Sequence, residues 1–251
     1  RLVNQWGEEK AKKLWRFSQE AFLYAHKLCD ELGVSHRVGK RVRFATRDDE
    51  VKEFEEACFL LKKSHYQAEF VKGSASSQLL AKQREGLWGG WIDTLSLVKK
   101  LETKISSRVT RIKGKAISFS KKKNDYDLLL ENDTIFKTSL LVVCAHTETS
   151  KLVPGLKNVL VPYQDESHFI SYSSKTKIGL SNLTFSSFHG HIWGSFLGSH
   201  LLQIGGARFL RKLGGVGLTQ PELDPKVKKY LLKELQTLFP RMRNLKIEKS
   251  Y

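Results

Sequence analysis

At 251 residues and 28.7 kDa the chain is long enough for one large domain or two modest ones. Its 40% hydrophobic and 27% charged residues exclude wholesale disorder. Its longest apolar run, Leu140 to Ala145, falls far below the ~18 residues that a membrane-crossing helix needs.

The N-terminal charges have no apolar stretch behind them, so no signal peptide is expected. Arg1 opens the chain in mid-pattern, and a segment of a longer protein is the expectation. Glu8 to Leu32 reads as one amphipathic helix, with Ala11, Leu14, Trp15, Ala21, Phe22, Ala25, Leu28 and Cys29 at mostly three- and four-residue steps and Gly33 as its stop. A short strand, Arg41 to Ala45, follows. Thr46 with Asp49 then resembles a capping box opening a helix from Asp48 to Lys63. A short helix is predicted around Gln78 to Lys82, then a Gly-Trp segment from Leu87 to Trp91. Asp93 caps a further helix running to about Lys104.

From Arg108 the character changes to short β-rich runs parted by turn residues: Val109–Lys113, Ala116–Ser120, Asp127–Glu131, Leu140–Cys144, Val159–Val161, His168–Ser173, Thr184–Phe188, His191–Phe196 and Leu201–Gly205. Asp224-Pro225 starts a last helix, with Asp as N-cap and Pro at the first helical position. Helices first, strands after and one terminal helix predict an α+β (mixed α/β) fold with a substantial antiparallel sheet, on which Trp15, Phe22 and Leu28 should pack.

The net charge of +17 raises nucleic acid as a partner. The excess is spread thinly, with one enrichment over residues 201–251, and generic basicity accounts for it equally simply. Cys29, Cys58 and Cys144 lie far apart inside apolar patterns, the usage of buried thiols in a reducing, cytoplasmic compartment. His189 and His191 lack further ligands at zinc spacing, so no metal site is expected.

Four passages carry a family likeness. They are Trp6-Gly7-Glu8-Glu9 through Gly33 with the strand and helix after it; Gly89-Gly90-Trp91-Ile92-Asp93 before a helix; Arg108-Val109-Thr110-Arg111-Ile112 followed by Leu140 to Leu152; and Leu202-Gln203-Ile204-Gly205-Gly206, with the later helix ending Leu238-Phe239-Pro240. In that order they resemble the middle of the FAD-dependent oxidoreductases of the D-amino-acid-oxidase type, which include glycine and sarcosine oxidases. Thr94 stands where the family's Gly-Gly-x-Ile-Asp step has proline, and no G-x-G-x-x-G follows a strand. The resemblance therefore implies a central portion, with both cofactor-gripping ends outside the chain.

The resemblance implies an antiparallel substrate-domain sheet with helices plus part of an FAD-binding domain. Residues 1–107 would be a helical region leading into the substrate domain. Residues 108–157 would be the β-meander of the partial FAD-binding domain, and 158–251 the substrate-domain strands and terminal helix. The implied activity is oxidation of a C–N bond of an amine or amino acid, by hydride transfer to FAD. Two rivals remain: a flavin oxidase of modified tRNA bases, and a non-catalytic binding domain of the same fold. FAD itself should bind poorly to this chain alone, because the glycines that let backbone approach the pyrophosphate are missing.

By the same resemblance Val109 runs beside the adenine, Ala145-His146-Thr147 stands in place of an Ala-Thr-Gly turn, and the Gly205-Gly206 strand approaches the flavin. Each has a plainer reading, an ordinary strand valine or a surface turn. On the substrate side stand His191, His189, Arg208 and Tyr163. If the strand extends back to His189, then His189, His191 and Trp193 share a face, Ile192 turns to the core, and an imidazole is available to hold a proton or a carboxylate. A half-exposed sheet face explains the same residues. Asp165 and Glu166 either favour an amine or solvate a turn.

Overall fold

A computed structural model describes residues 2–73, 81–174, 182–217 and 222–251, with backbone only for 81–88 and 174. The chain divides into two units, one of residues 1–103, 165–211 and 222–251, the other of residues 104–164 and 212–221.

In the first unit α1 (Leu2–Trp6) and α2 (Glu8–Leu32) are separated by Gly7, whose φ of 78° breaks the helical run. The predicted stop of α2 is a left-handed Gly33, with Gly33 N–H donating to Asp30 and Val34 N–H to Cys29, the Schellman arrangement. Then come β1 (His36–Ala45), α3 (Asp48–Lys63), β2 (Ala68–Lys72), β3 (Ala81–Ile92) and α4 (Thr94–Ile105). Asp93 caps α4 as expected. Its carboxylate accepts from the Ser96 amide at 3.1 Å and hydroxyl at 2.7 Å, and these bonds hold its pKa below the ordinary value.

The second unit holds an antiparallel sheet of β4 (Ala116–Lys122), β5 (Asp125–Leu130) and β6 (Ile135–Thr138), and a one-turn α5 (Thr149–Leu152). The chain returns to the first unit through β7 (Ser167–Ser174), β8 (Leu183–Ser187), β9 (Ile192–Phe196), β10 (Leu201–Gly206), α6 (Pro225–Leu238) and β11 (Met242–Ser250). The large sheet has eight strands in the order β11-β7-β10-β9-β8-β1-β3-β2, antiparallel except where β1 runs parallel to β8. The α+β expectation holds.

One face of that sheet makes the core. Val227, Leu231, Leu235 and Leu238 recur on one side of α6 and pack on Ile170, Ile192, Leu202 and Ile204, all buried. Asp224 is the N-cap of α6, accepting from the Lys226 amide at 2.8 Å, with Pro225 at the first helical position. We expect Asp224→Ala to lower stability by about 1 kcal/mol, read as a lower urea midpoint at unchanged slope.

Several expectations need correction. Gln78 to Leu80 lie outside the described residues, but Ala81 and Lys82 begin a strand, not a helix. β3 pairs with β1 and β2 together, and those two ladders outweigh a weak helical pattern. The Gly-Trp segment is the end of the same strand, where a Cβ on Gly89 would come within 2.1 Å of the Thr184 hydroxyl. Val109–Lys113, Leu140–Cys144 and Val159–Val161 are not strands, because no ladder partner exists for them among the described residues. β6 and β11 were not expected. Trp15, Phe22 and Leu28 are half-buried, with α2 against β1 and β3 rather than against strands after Arg108.

Candidate functional site

The turn from β8 into β9 sets the geometry of both candidate histidines. Phe188, His189 and Gly190 have φ of 50°, 54° and 83°, so the chain coils there instead of extending. His189 and His191 therefore do not continue the β9 face of Trp193. Three successive left-handed residues end the alternation that placed them together. Ile192 does enter the core, fully buried, as alternation requires.

His189 is taken up by α3. Its amide donates to the buried Glu50 at 2.6 Å, while its ring lies 3.3 Å from Glu53 and 3.0 Å from Asp49. The same Glu50 accepts from the amide of Thr46 at 3.0 Å and its hydroxyl at 3.3 Å. The expected capping box between Thr46 and Asp49 does not form: Arg47 is the N-cap of α3 without a side-chain cap bond, Thr46 only donates to Glu50, and Asp49 faces the imidazole. Desolvation raises the Asp49 pKa, but His189 and Arg47 beside it outweigh this and leave it below the ordinary value. His189 is a clamp between α3 and the β8–β9 turn.

His191 stays exposed, its ring beside Phe188 at 5.8 Å and Phe209 at 6.1 Å between centroids. Its carbonyl accepts from the Ala207 amide at 2.8 Å, which joins the turn before β9 to the turn after β10. Arg208, half-buried, opens that second turn, Arg208–Leu210. The first unit thus brings His191, Arg208 and Phe209 together.

The two glycines ending β10 serve packing. A Cβ on Gly205 would stand 2.5 Å from the Trp193 ring and 2.8 Å from the Glu166 carbonyl; one on Gly206, at φ 108°, would meet the His191 carbonyl at 2.1 Å. Trp193 is oriented by its indole N–H donating to Asp165 at 3.4 Å. Protein fills the space where a Cβ would stand on either glycine, so both positions need glycine for close packing.

Beneath them lies a buried network that the sequence reading missed. Glu166, 1% exposed, accepts from Arg211 at 2.6 Å and from the Asp224 amide at 2.9 Å, and its other oxygen meets His168 at 2.9 Å. Arg211 also donates to the Glu222 carbonyl, and His168 contacts the Ser250 hydroxyl at 2.8 Å. Burial lowers the pKa of His168, against the opposing pull of Glu166. Glu166 neither solvates a turn nor faces an amine. Glu234, hydrogen-bonded to Ser187 at 3.0 Å, is a second half-sequestered acid, its pKa raised by burial.

The remaining predicted site residues belong to the second unit. Val109 is 52% exposed outside any element. Ala145 precedes a short turn, His146–Glu148, in which His146 has φ 47° and both His146 and Thr147 are exposed. Tyr163 is 54% exposed and bridges Val216. In the first unit a cavity of about 310 Å³ separates α2 from α3, walled by Ala11, Trp15, Ala57, Leu60, Leu61 and Tyr66. It shares Glu53 with the His189 clamp.

No protein-family profile matches the sequence. No curated protein matches it either. Solved structures do. Glycine oxidase from Bacillus cereus superposes with a TM-score of 0.67 at 13% identity, over 95% of this chain and 66% of that one. L-proline dehydrogenase from P. horikoshii gives 0.64 at 14%, over 97% and 64%. NikD, an unusual amino acid oxidase essential for nikkomycin biosynthesis, gives 0.65 at 10%, over 95% and 66%. The chain shares the fold of these three proteins and spans just under two thirds of their length.

Proposed function

We propose that this chain is the central portion of a flavin-dependent oxidoreductase that oxidises a C–N bond of an amine or amino acid. The observation that carries the reading is the superposition of nearly the whole chain on enzymes whose names all denote oxidation of an amino or imino acid.

In this reading the second unit is part of the FAD-binding domain. Its strand-like runs are what an incomplete sheet exposes. Leu140 and Val142, 74% and 73% exposed, alternate with half-buried Leu141 and Val143, and Val159 is 71% exposed. Extended apolar backbone without a ladder partner is a template for further strands. Val109, Ala145, His146 and Thr147 stand on that cofactor side. Gly205 and Gly206 remain the candidates beside the flavin, and grip on the FAD pyrophosphate falls to other residues, since no glycine-rich helix start is present among the described residues. His191 and Arg208 are placed on the substrate side of the first unit, with Tyr163 as a further candidate. His189 is left to the α3 clamp.

The test is the natural protein, produced with whatever coding sequence flanks this segment. It should be yellow with flavin absorbance, lose that colour anaerobically with an amine or amino acid, and regain it on reoxidation. A colourless protein that takes up no added FAD overturns the reading. Within the loaded protein, His191→Ala should lower turnover by roughly 10²-fold with the flavin spectrum intact, the scale of a positioned proton-handling group. Unchanged turnover returns His191 to the surface.

A further inference from the structure

Helix α2 carries two apolar rows, and the fold uses one. Ala11, His26 and Cys29 are buried with Trp15 and Phe22 half-buried beside them. A second row, Leu14, Phe17, Ala21 and Tyr24, runs along another side and stays in solvent, with Leu14 40% exposed and Phe17 and Tyr24 each 68%. Single exposed apolar side chains are ordinary. Four in register at steps of three, four and three, two of them large aromatics, have the spacing of a helix-pairing seam.

Charge beside the seam selects the occupant. Lys13 and Glu20, seven residues apart, flank the same edge of the row; both are exposed, and neither has an ion-pair partner among the described residues. Lys10 continues the row beyond Leu14 by one more four-residue step.

We infer that α2 pairs antiparallel with α2 of a second copy of this chain, with Phe17 on the two-fold axis. In that register Leu14 meets the partner's Ala21, Phe17 the partner's Phe17, Lys10 the ring of the partner's Tyr24, and Lys13 the partner's Glu20. The symmetry makes every unlike contact twice. The two Lys–Glu pairs neutralise charges that have no counterpart in their own chain among the described residues, and the Lys10–Tyr24 contact is a cation–π pair. The parallel alternative sets Lys13 against Ser18 and Glu20 against Ala25, so it leaves those charges unmatched and is disfavoured. The seam is short, at the small end of specific interfaces, so the dimer is reversible with a dissociation constant on the order of 10 μM.

The experiment is sedimentation of the full natural protein from about 1 to 300 μM, well either side of that constant. Wild type should pass from monomer to dimer. Phe17→Glu should remain monomeric throughout with unchanged circular dichroism and melting temperature. Lys13→Glu should weaken the dimer roughly tenfold, and Lys13→Glu with Glu20→Lys should restore it, since the swap rebuilds both pairs. In a Cys144→Ser background, Phe17→Cys should oxidise to a disulfide-linked dimer, while the exposed control Leu23→Cys, off the seam, should not. Three results overturn the inference: a natural protein monomeric at the top concentration, whose seam is then covered by another of its own segments or by nothing; a dimer indifferent to Phe17→Glu; or a charge swap that fails to restore association.

Discussion

Arg211→Met is expected to lower the melting temperature of the first unit by roughly 10 °C, the equivalent of about 3–5 kcal/mol. The cost is not the loss of an attractive contact alone. Glu166 is fully enclosed, and the Arg211 guanidinium donates to it at 2.6 Å. Removing the guanidinium strands a carboxylate in low dielectric, with only the Asp224 amide and His168 left beside it among the described residues. It also frees the Glu222 carbonyl. The residues so tied, 166, 211, 222 and 224, lie beside three of the four places where the chain leaves or re-enters the first unit, so the damage should spread to the start of α6 and to the turn carrying Arg208. Glu166→Gln with Arg211→Met should cost less than Arg211→Met alone, because a neutral amide can be buried where an unpaired carboxylate cannot.

The pH dependence gives a second check. Protonation relieves a buried carboxyl that has lost its cation, so the gap between mutant and wild type should narrow on acidification. His168 acts in the opposite direction in wild type. Burial depresses its pKa, so its contribution is present above the ordinary histidine value and fades as pH falls through the folded one. A gap that is constant from neutral to acid pH would show that Glu166 is not the group left unpaired.

How far the sequence could be read follows from what each signal depends on. α2, α3, α4 and α6 were legible because a helix announces itself through local periodicity and caps: Gly33, Asp93 and Asp224 stand where the chain needs them. β8, β9 and β10 were legible through alternation, and the alternation sent Ile192 inward as expected. β3 was missed because its state is decided by ladders to β1 and β2, which no local window contains. The three apolar runs of the second unit failed for the converse reason, having strand composition without a ladder. At the candidate site the type of residue was visible and its orientation was not. His189 looked equivalent to His191, yet three left-handed residues turn it into the carboxylates of α3, about 140 positions away in the chain. Glu166 beside Asp165 read as facing an amine or solvating a turn; the fold instead buries it against Arg211 and His168.

Phe196→Ala should destabilise the first unit by about 3–5 kcal/mol, comparable with the loss of Arg211 but indifferent to pH. Phe196 is fully buried on β9, and its ring meets Phe239 at 5.1 Å, Tyr172 at 5.8 Å and Phe185 at 5.9 Å between centroids. Phe239 in turn contacts Phe185 and Phe44, so the cluster ties β1, β7, β8 and β9 to the end of α6. Deleting one ring removes its apolar burial and leaves a void that its three aromatic neighbours in fixed rotamers cannot close. Phe196→Leu should cost markedly less, since most of the volume remains. No titratable group replaces the ring, so the penalty should be the same wherever the protein is folded, which separates it from the Arg211 case. Phe17→Ala on the open side of α2 makes the control: the same chemical change at a 68% exposed position should leave the melting temperature of the monomer nearly unmoved. Equal losses for Phe196→Ala and Phe17→Ala would mean that the core is not where the aromatic cluster stands.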